Sequence, residues 1–201
     1  MKLFIVFALV MLSVLGLGFG YESYKLSGEY TCNTTDKDLA ALNLCLPTGS
    51  KVVKGVSARM ELAIEYGYGD SVKGAWVQDK NTMYLTNDDK SLLIHEAVHA
   101  TTQELTYSDL KVFVDASIQS GFYDRVKSYL RDNEYANSSY FLSKDEMMAR
   151  TMQVCAIAHG IDLPYTSSDE MFNVYPTQEE AATMCPALAK VLARANHLRI
   201  V

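Results

Sequence analysis

Residues 91–100 read SLLIHEAVHA, and this short stretch sets requirements that the rest of the fold must meet. Its apolar residues surround His95, Glu96 and His99, and their spacing predicts a mostly buried helix over about 90–105. Residues four apart lie one above the other on a helix face, so both imidazoles would point the same way. Two imidazoles and a carboxylate in a buried helix need partners, because burying them unpaired is costly.

The pattern His-Glu-x-x-His on a helix suits the binding of one divalent metal ion. Neutral imidazole is a favoured ligand of Zn²⁺, and two histidines with a third ligand leave a fourth position for water. Zinc lowers the pKa of such a water, and Glu96 could take its proton as a general base. We therefore expect one Zn²⁺ per chain, with His95 and His99 as ligands. The alternative is a helix whose His and Glu side chains face solvent or make ordinary hydrogen bonds.

The rest of the chain predicts the α+β class, with helix predominating. Residues 21–50 are polar and irregular, and a helix over 56–66 follows and stops at Gly67. Two strand-like runs, 75–78 and 82–86, then form a predicted hairpin. Further on, helical spacing predicts helices over about 108–120, 122–132, 144–159 and 177 onward. Thr177 with Glu180 forms a capping-box pattern at the start of the last helix. The sequence therefore predicts a compact, helix-rich domain with a small antiparallel sheet.

The hairpin, the HEAVH helix and the helix after it resemble the zincin metallopeptidases over roughly residues 56–160. The resemblance implies a zincin-like domain that uses zinc-activated water to hydrolyse peptide bonds in a peptide or protein substrate. Zincins are similar in having the substrate lie along an edge strand, which here would be Thr82–Thr86. A third metal ligand would come from a helix downstream of the motif.

Glu146, within SKDEMMAR (residues 143–150), is similar to the glutamate ligand of gluzincins, including compact lethal-factor-like domains. The resemblance therefore implies a zinc site of His95, His99 and Glu146. Other interpretations remain open: Ser143-x-x-Glu146 is a capping-box pattern, and Glu146 could pair with Arg150 on the surface. Two other side chains could also supply the third ligand, Asp145 and His159.

A peptidase of this kind needs a hydrogen-bond donor for the oxyanion that forms on the attacked carbonyl. Tyr140 and Tyr135 precede the Glu146 helix, and lethal-factor-like enzymes have a tyrosine similarly placed before their glutamate. We take Tyr140 as the candidate catalytic donor. Packing is the alternative role, because the chain contains 13 tyrosines.

Residues 1–20 carry one lysine followed by an uninterrupted apolar run, a layout typical of a secretory signal peptide. The alternative is an uncleaved membrane anchor, the only membrane tether that the sequence offers. Either would place the working part outside the cytoplasm, in a secreted or periplasmic protein. We divide the chain into a signal peptide (1–20), an N-terminal disulfide-containing segment (21–55) and a zincin-like domain (56–201).

The four cysteines fit an oxidising compartment. Three connectivities are possible from sequence alone. The simplest pairs Cys32 with Cys45 and ties two C-terminal helices together through Cys155 and Cys185.

The formal net charge is −6, and Lys and Arg residues are scattered. A nucleic-acid partner is excluded on this ground, because phosphate binding needs a basic surface. We expect a monomer. The alternative to an enzyme is a secreted, disulfide-stabilised binding protein on a zincin-like scaffold, without turnover. Glu96 favours catalysis, since a purely structural zinc site has no need of a carboxylate there.

Overall fold

The computed structural model describes residues 34–69, 72–135, 138–163 and 173–198. The predicted signal or anchor segment and Cys32 lie outside the described residues, so the Cys32–Cys45 bond stays a prediction. Among the helices that are described, none combines the length and the apolar character needed to span a membrane.

The described chain consists of helices around a small sheet, which confirms the helix-rich α+β class. The strands are β1 (Lys51–Lys54), β2 (Gly74–Val77) and β3 (Thr82–Leu85). The helices are α1 (Lys37–Ala41), α2 (Gly55–Tyr66), α3 (Lys90–Thr102), α4 (Tyr107–Gln119), α5 (Phe122–Asp132), α6 (Ser138–Phe141), α7 (Lys144–Ala158) and α8 (Gln178–Leu198). All the longer helices begin and end within a few residues of the predicted positions, and α8 continues through Pro186.

The sheet has the strand order β1-β3-β2, which corrects one expectation from the sequence. The hairpin of β2 and β3 is antiparallel as predicted, with Trp76 opposite Met83. However, β3 also pairs in parallel with β1, so the strand expected at the edge is the buried central one. Among the described residues β2 is an edge strand, and any peptide that extends the sheet on this side must pair with β2.

Residues 34–50 are more ordered than the polar composition of the N-terminal segment predicts. Asp36 caps α1 by accepting hydrogen bonds from the backbone N–H groups of Asp38 and Leu39. Leu39 and Leu44 are fully buried. The Asn196 amide on α8 donates to the backbone carbonyl of Asn43 at 3.0 Å. This segment is therefore packed onto the helical core, and β1 belongs to the same sheet as the hairpin.

Helices α3, α7 and α8 pack on one another and contribute half of the buried apolar residues. Asp89 caps α3 by accepting from the Ser91 N–H at 2.8 Å, as expected for an acidic residue at the positive end of a helix. The predicted Cys155–Cys185 disulfide is confirmed and joins α7 to α8, with a Cα–Cα distance of 5.8 Å. Because α7 packs on α3 and is cross-linked to α8, the interface between α3 and α7 is rigidly held.

Candidate metal centre

Helix α3 presents its two histidines on the face that packs against α7. His95 and His99 lie one turn apart, and their ring centroids are 4.9 Å from each other. Both imidazoles are partly buried because the neighbouring positions on α3 are core residues, among them Ile94, Ala97 and Val98. The sequence pattern therefore produces the predicted juxtaposition of two ring nitrogens.

Glu146 approaches these rings from the first turn of α7. Its Oε2 lies 3.3 Å from His95 Nε2, and its Oε1 lies 3.3 Å from His99 Nε2. The helix start positions the residue, since the Ser143 hydroxyl accepts a hydrogen bond from the Glu146 N–H at 3.3 Å. One ligand atom from each of the three side chains lies within 4.8 Å of the other two, so this group could hold a metal ion. Two imidazole nitrogens and a carboxylate are a donor set that fits Zn²⁺.

The shared hydrogen bonds shift the pKa values of these groups. Burial alone would raise the pKa of Glu146, but hydrogen bonds with His95 and His99 hold it well below its usual value. Burial alone would lower the pKa of His99, but the Glu146 hydrogen bond and the charge of Glu96 raise it. Without a metal, the Glu146 carboxylate therefore favours the protonated form of His99, and a divalent cation could take the place of that proton.

Glu96 is buried between α3 and the edge strand β2. Burial, helped by the nearby negative charge of Glu146, raises the pKa of Glu96, although both histidines and a hydrogen bond from the Trp76 backbone N–H oppose this. A raised pKa suits a group that must accept and return a proton near neutral pH. Gly74 makes this close approach possible, because a Cβ there would lie 2.9 Å from Glu96 Oε1 and 2.8 Å from Leu92 Cδ1.

A cleft of about 620 Å³ opens onto the site. Its walls come from β2, from the end of α3 and from the start of α7, and Glu96, His99 and Glu146 line its floor. The Trp76 indole N–H donates to Gln103 Oε1 at 2.7 Å and so joins the edge strand to the end of α3. The three reactive side chains are therefore accessible from outside, although they are largely buried.

Tyr140 lies at the cleft on the short helix α6, with its side chain 53% exposed. Burial of its hydroxyl, helped by the adjacent carboxylate of Glu146, raises the pKa of Tyr140. Tyr140 is therefore a neutral donor at physiological pH. Tyr135 packs on Tyr129 and Phe141 with centroid distances of 5.9 and 6.1 Å. Of the two tyrosines, Tyr140 is the one that lines the cleft.

The sequence left three alternatives open on α7: a surface pair of Glu146 with Arg150, and Asp145 or His159 as the third metal ligand. Arg150 is only 2% exposed, so it is no surface partner of Glu146; its guanidinium donates to the Phe141 carbonyl and stacks on the Phe141 ring. Asp145 lines the cleft, and His159 is exposed at the C-terminal end of α7. The cluster found in the described residues contains neither of these two side chains.

Sequence reasoning missed two residues that support the site. Gln153 lies two turns after Glu146 on the same face of α7, and its Oε1 is 3.3 Å from His95 Nδ1. Its amide nitrogen donates to the Ser91 carbonyl and hydroxyl at 3.2 and 2.6 Å. The spacing of seven residues between Glu146 and Gln153 was an available signal, because it returns to the same helix face.

Comparison with known proteins gives no further assignment: no family model matches the chain, and neither curated proteins nor solved structures contain a significant match. The functional argument therefore rests on the geometry of the site.

Proposed function

We propose that the protein is an exported zinc-dependent metallopeptidase with His95, His99 and Glu146 as zinc ligands. The observation that carries the proposal is that one carboxylate lies 3.3 Å from both imidazole Nε2 atoms, at the floor of an open cleft. A structural zinc site is normally closed, whereas a catalytic site keeps one position open to water or substrate. The intact HEAVH pattern and the resemblance to gluzincins agree with this assignment.

Glu96 is assigned the proton transfers. Bound zinc supplies a Lewis acid that polarises a carbonyl and lowers the pKa of water. The Glu96 carboxylate accepts a proton from the attacking water and then returns it to the leaving amine, which its raised pKa favours. General acid–base catalysis of this kind typically contributes about 10²–10⁴-fold to the rate.

Tyr140 is assigned the stabilisation of the oxyanion. Its hydroxyl is a neutral donor at the rim of the cleft, next to Glu146. A hydrogen bond aimed at the position where negative charge develops stabilises the transition state more than the substrate. The oxygen of the attacked carbonyl would therefore point toward α6.

The edge strand β2 is assigned the binding of the peptide backbone. It pairs with β3 through bonds that include the 2.9 Å bond from the Thr86 N–H to the Lys73 carbonyl, so the backbone groups of Gly74 and Trp76 face away from β3. Because the Trp76 N–H is directed at Glu96, a peptide would pair through the other outward-facing groups. An extended peptide could pair with this edge by strand addition and so reach Glu96. The substrate strand is therefore β2 rather than the Thr82–Thr86 segment.

Export is supported by the Cys155–Cys185 disulfide, since disulfides persist in oxidising compartments.

The test uses the purified protein with zinc, an unfolded protein substrate, and mass spectrometry to identify new peptide ends. We expect cleavage that a chelator stops and zinc restores, and a loss of at least about 10²-fold in Glu96→Gln. Glu180→Gln is the matched control, because Glu180 is equally buried but lies outside the cleft. Cleavage that continues unchanged in Glu96→Gln would contradict the assigned mechanism.

A further inference from the structure

We propose that Gln153 is a positioning residue that holds His95 as the tautomer with its proton on Nδ1, so that Nε2 faces the metal. The proposal rests on the metal site of the proposed function and adds a residue that the HEAVH pattern does not contain. Gln153 is buried between α3 and α7, and its Oε1 meets the Nδ1 side of His95, away from Glu146 at Nε2.

The orientation of the Gln153 amide follows from its contacts with Ser91. The Ser91 backbone carbonyl can only accept a hydrogen bond, so the amide NH₂ of Gln153 must face Ser91. In this orientation the Ser91 hydroxyl, 2.6 Å from the same nitrogen, accepts a second hydrogen bond from the amide. Gln153 Oε1 is thereby directed at the imidazole of His95.

The orientation of the amide in turn decides which nitrogen of His95 is protonated. An amide oxygen can only accept, so His95 Nδ1 must donate to it across the 3.3 Å contact. A neutral imidazole with its proton on Nδ1 has its free lone pair on Nε2, the nitrogen that faces Glu146. Outer partners of this kind fix the ring and the tautomer of metal-bound histidines.

A neutral amide also has an electrostatic advantage at this position. The site already contains the carboxylates of Glu96 and Glu146, both buried. A third carboxylate beside His95 would add negative charge to a poorly solvated region, which costs free energy. Gln153 orients the ring without that cost.

The first measurement is zinc affinity, obtained by competition with a chromogenic chelator on the full-length protein. Gln153→Met keeps the length of the side chain but removes the acceptor, and we expect zinc binding about 10–100-fold weaker. Gln153→Glu restores an acceptor and should recover most of the affinity, but with a lower free energy of unfolding in metal-free protein, because it adds the third buried carboxylate. Thr151→Val is the matched control, because Thr151 is buried on the same helix and bonds only within it, to the Met147 carbonyl.

The second measurement reports the tautomer itself. Only four histidines are present, so ¹⁵N-imidazole NMR of the zinc-loaded protein can resolve His95. We expect a slowly exchanging Nδ1–H in the wild type and in Thr151→Val, and its loss in Gln153→Met. If Gln153→Met does not fold, Ser91→Ala should produce a smaller loss of affinity in the same direction.

Unchanged affinity and an unchanged Nδ1–H signal in Gln153→Met would overturn the inference while leaving the metal site intact. An equal loss of affinity in Thr151→Val would also overturn it, because the effect would then come from helix packing. Wild-type protein that binds no zinc would defeat the proposed function itself.

Discussion

Glu146 and Glu180 share one local pattern, a Ser or Thr cap followed three residues later by Glu, but their carboxylates bind different partners. Each is the third residue of a helix that begins after a Ser or Thr cap, and each is buried. Glu180 closes its capping box, since it accepts from the Thr177 N–H at 2.7 Å, and it forms two 2.7 Å bonds with Arg125. Glu146 receives the Ser143 cap but directs its carboxylate to two imidazoles.

The two glutamates belong to clusters of different chemistry, one an ion-pair network and the other a possible metal site. The Arg125 guanidinium also donates to the carbonyls of Asn173 and Tyr175, so the Glu180 cluster neutralises itself and satisfies its donors. The Glu146 cluster is built from side chains that a divalent ion prefers, and it opens onto the cleft. Burial and a carboxylate are common to both, so the identity of the partners decides the role.

The largest expected contrast is between Glu146→Ala and Glu180→Gln. Glu146→Ala should lose most of its bound zinc, because two imidazoles alone hold the ion weakly. Glu180→Gln should keep its zinc and its peptidase activity, but lose about 2 kcal/mol of unfolding free energy through weaker bonds to Arg125. Elemental analysis and urea unfolding measure the two effects. Equal zinc retention in both variants would remove the functional distinction between the glutamates.

Tyr140→Phe should reduce kcat by about 100-fold with little change in zinc content, because it removes one oxyanion donor. Tyr135→Phe is the control. The Tyr135 ring packs on neighbouring rings, and loss of its hydroxyl should leave kcat unchanged. Steady-state kinetics on one cleaved peptide compare the variants. A normal kcat in Tyr140→Phe would contradict the assignment of Tyr140 as the oxyanion donor and leave it a packing role.

Gly74→Ala tests the close contact between the edge strand and Glu96. The added Cβ would overlap Glu96 Oε1 and Cγ, so the carboxylate must move and kcat should fall by roughly 10–100-fold. Zinc content should remain normal, because the ligands are not touched. Gly69→Ala is the matched control, since a Cβ there meets nothing within 4 Å. Equal kinetics for the two alanine variants would show that the contact has no catalytic consequence.

The smallest expected effect is a difference in pH dependence between the two clusters in metal-free protein. The raised pKa of His99 stabilises the fold below its ordinary value of 6.5, and this contribution is lost as the pH rises through the folded-state pKa. The lowered pKa of Glu180 stabilises the fold above 4.5, and this contribution is fully present from pH 6 to 8. From pH 6 to 8 in chelator, the destabilisation caused by Glu146→Gln should therefore shrink, whereas that caused by Glu180→Gln should stay constant. Parallel trends in thermal unfolding would contradict this account.

The sequence predicted the elements that depend on local pattern. Apolar spacing indicated α3 and α7, Gly67 and Gly121 marked helix boundaries with positive φ, and HEAVH placed two imidazoles on one face. The Cys155–Cys185 bond belonged to the simplest of three possible connectivities, and the structure confirms it.

The sequence did not predict the features that depend on long-range pairing. Strand β1 is four residues long and mostly exposed, so it carries no alternation, and its parallel pairing with β3 made the expected edge strand central. Glu146 and Glu180 bind different partners because a different helix packs against each one. Gln153 acquires its proposed role only because α7 lies against Ser91 and His95.

Zinc content is the most direct test of the central claim that two imidazoles and the Glu146 carboxylate form one metal site. It is measured by elemental analysis on wild-type protein prepared without chelators, alongside Glu96→Gln. The account predicts about one zinc per chain in both proteins, since Glu96 is assigned to proton transfer and not to metal binding. Wild-type protein that neither contains zinc nor takes it up on titration would contradict it.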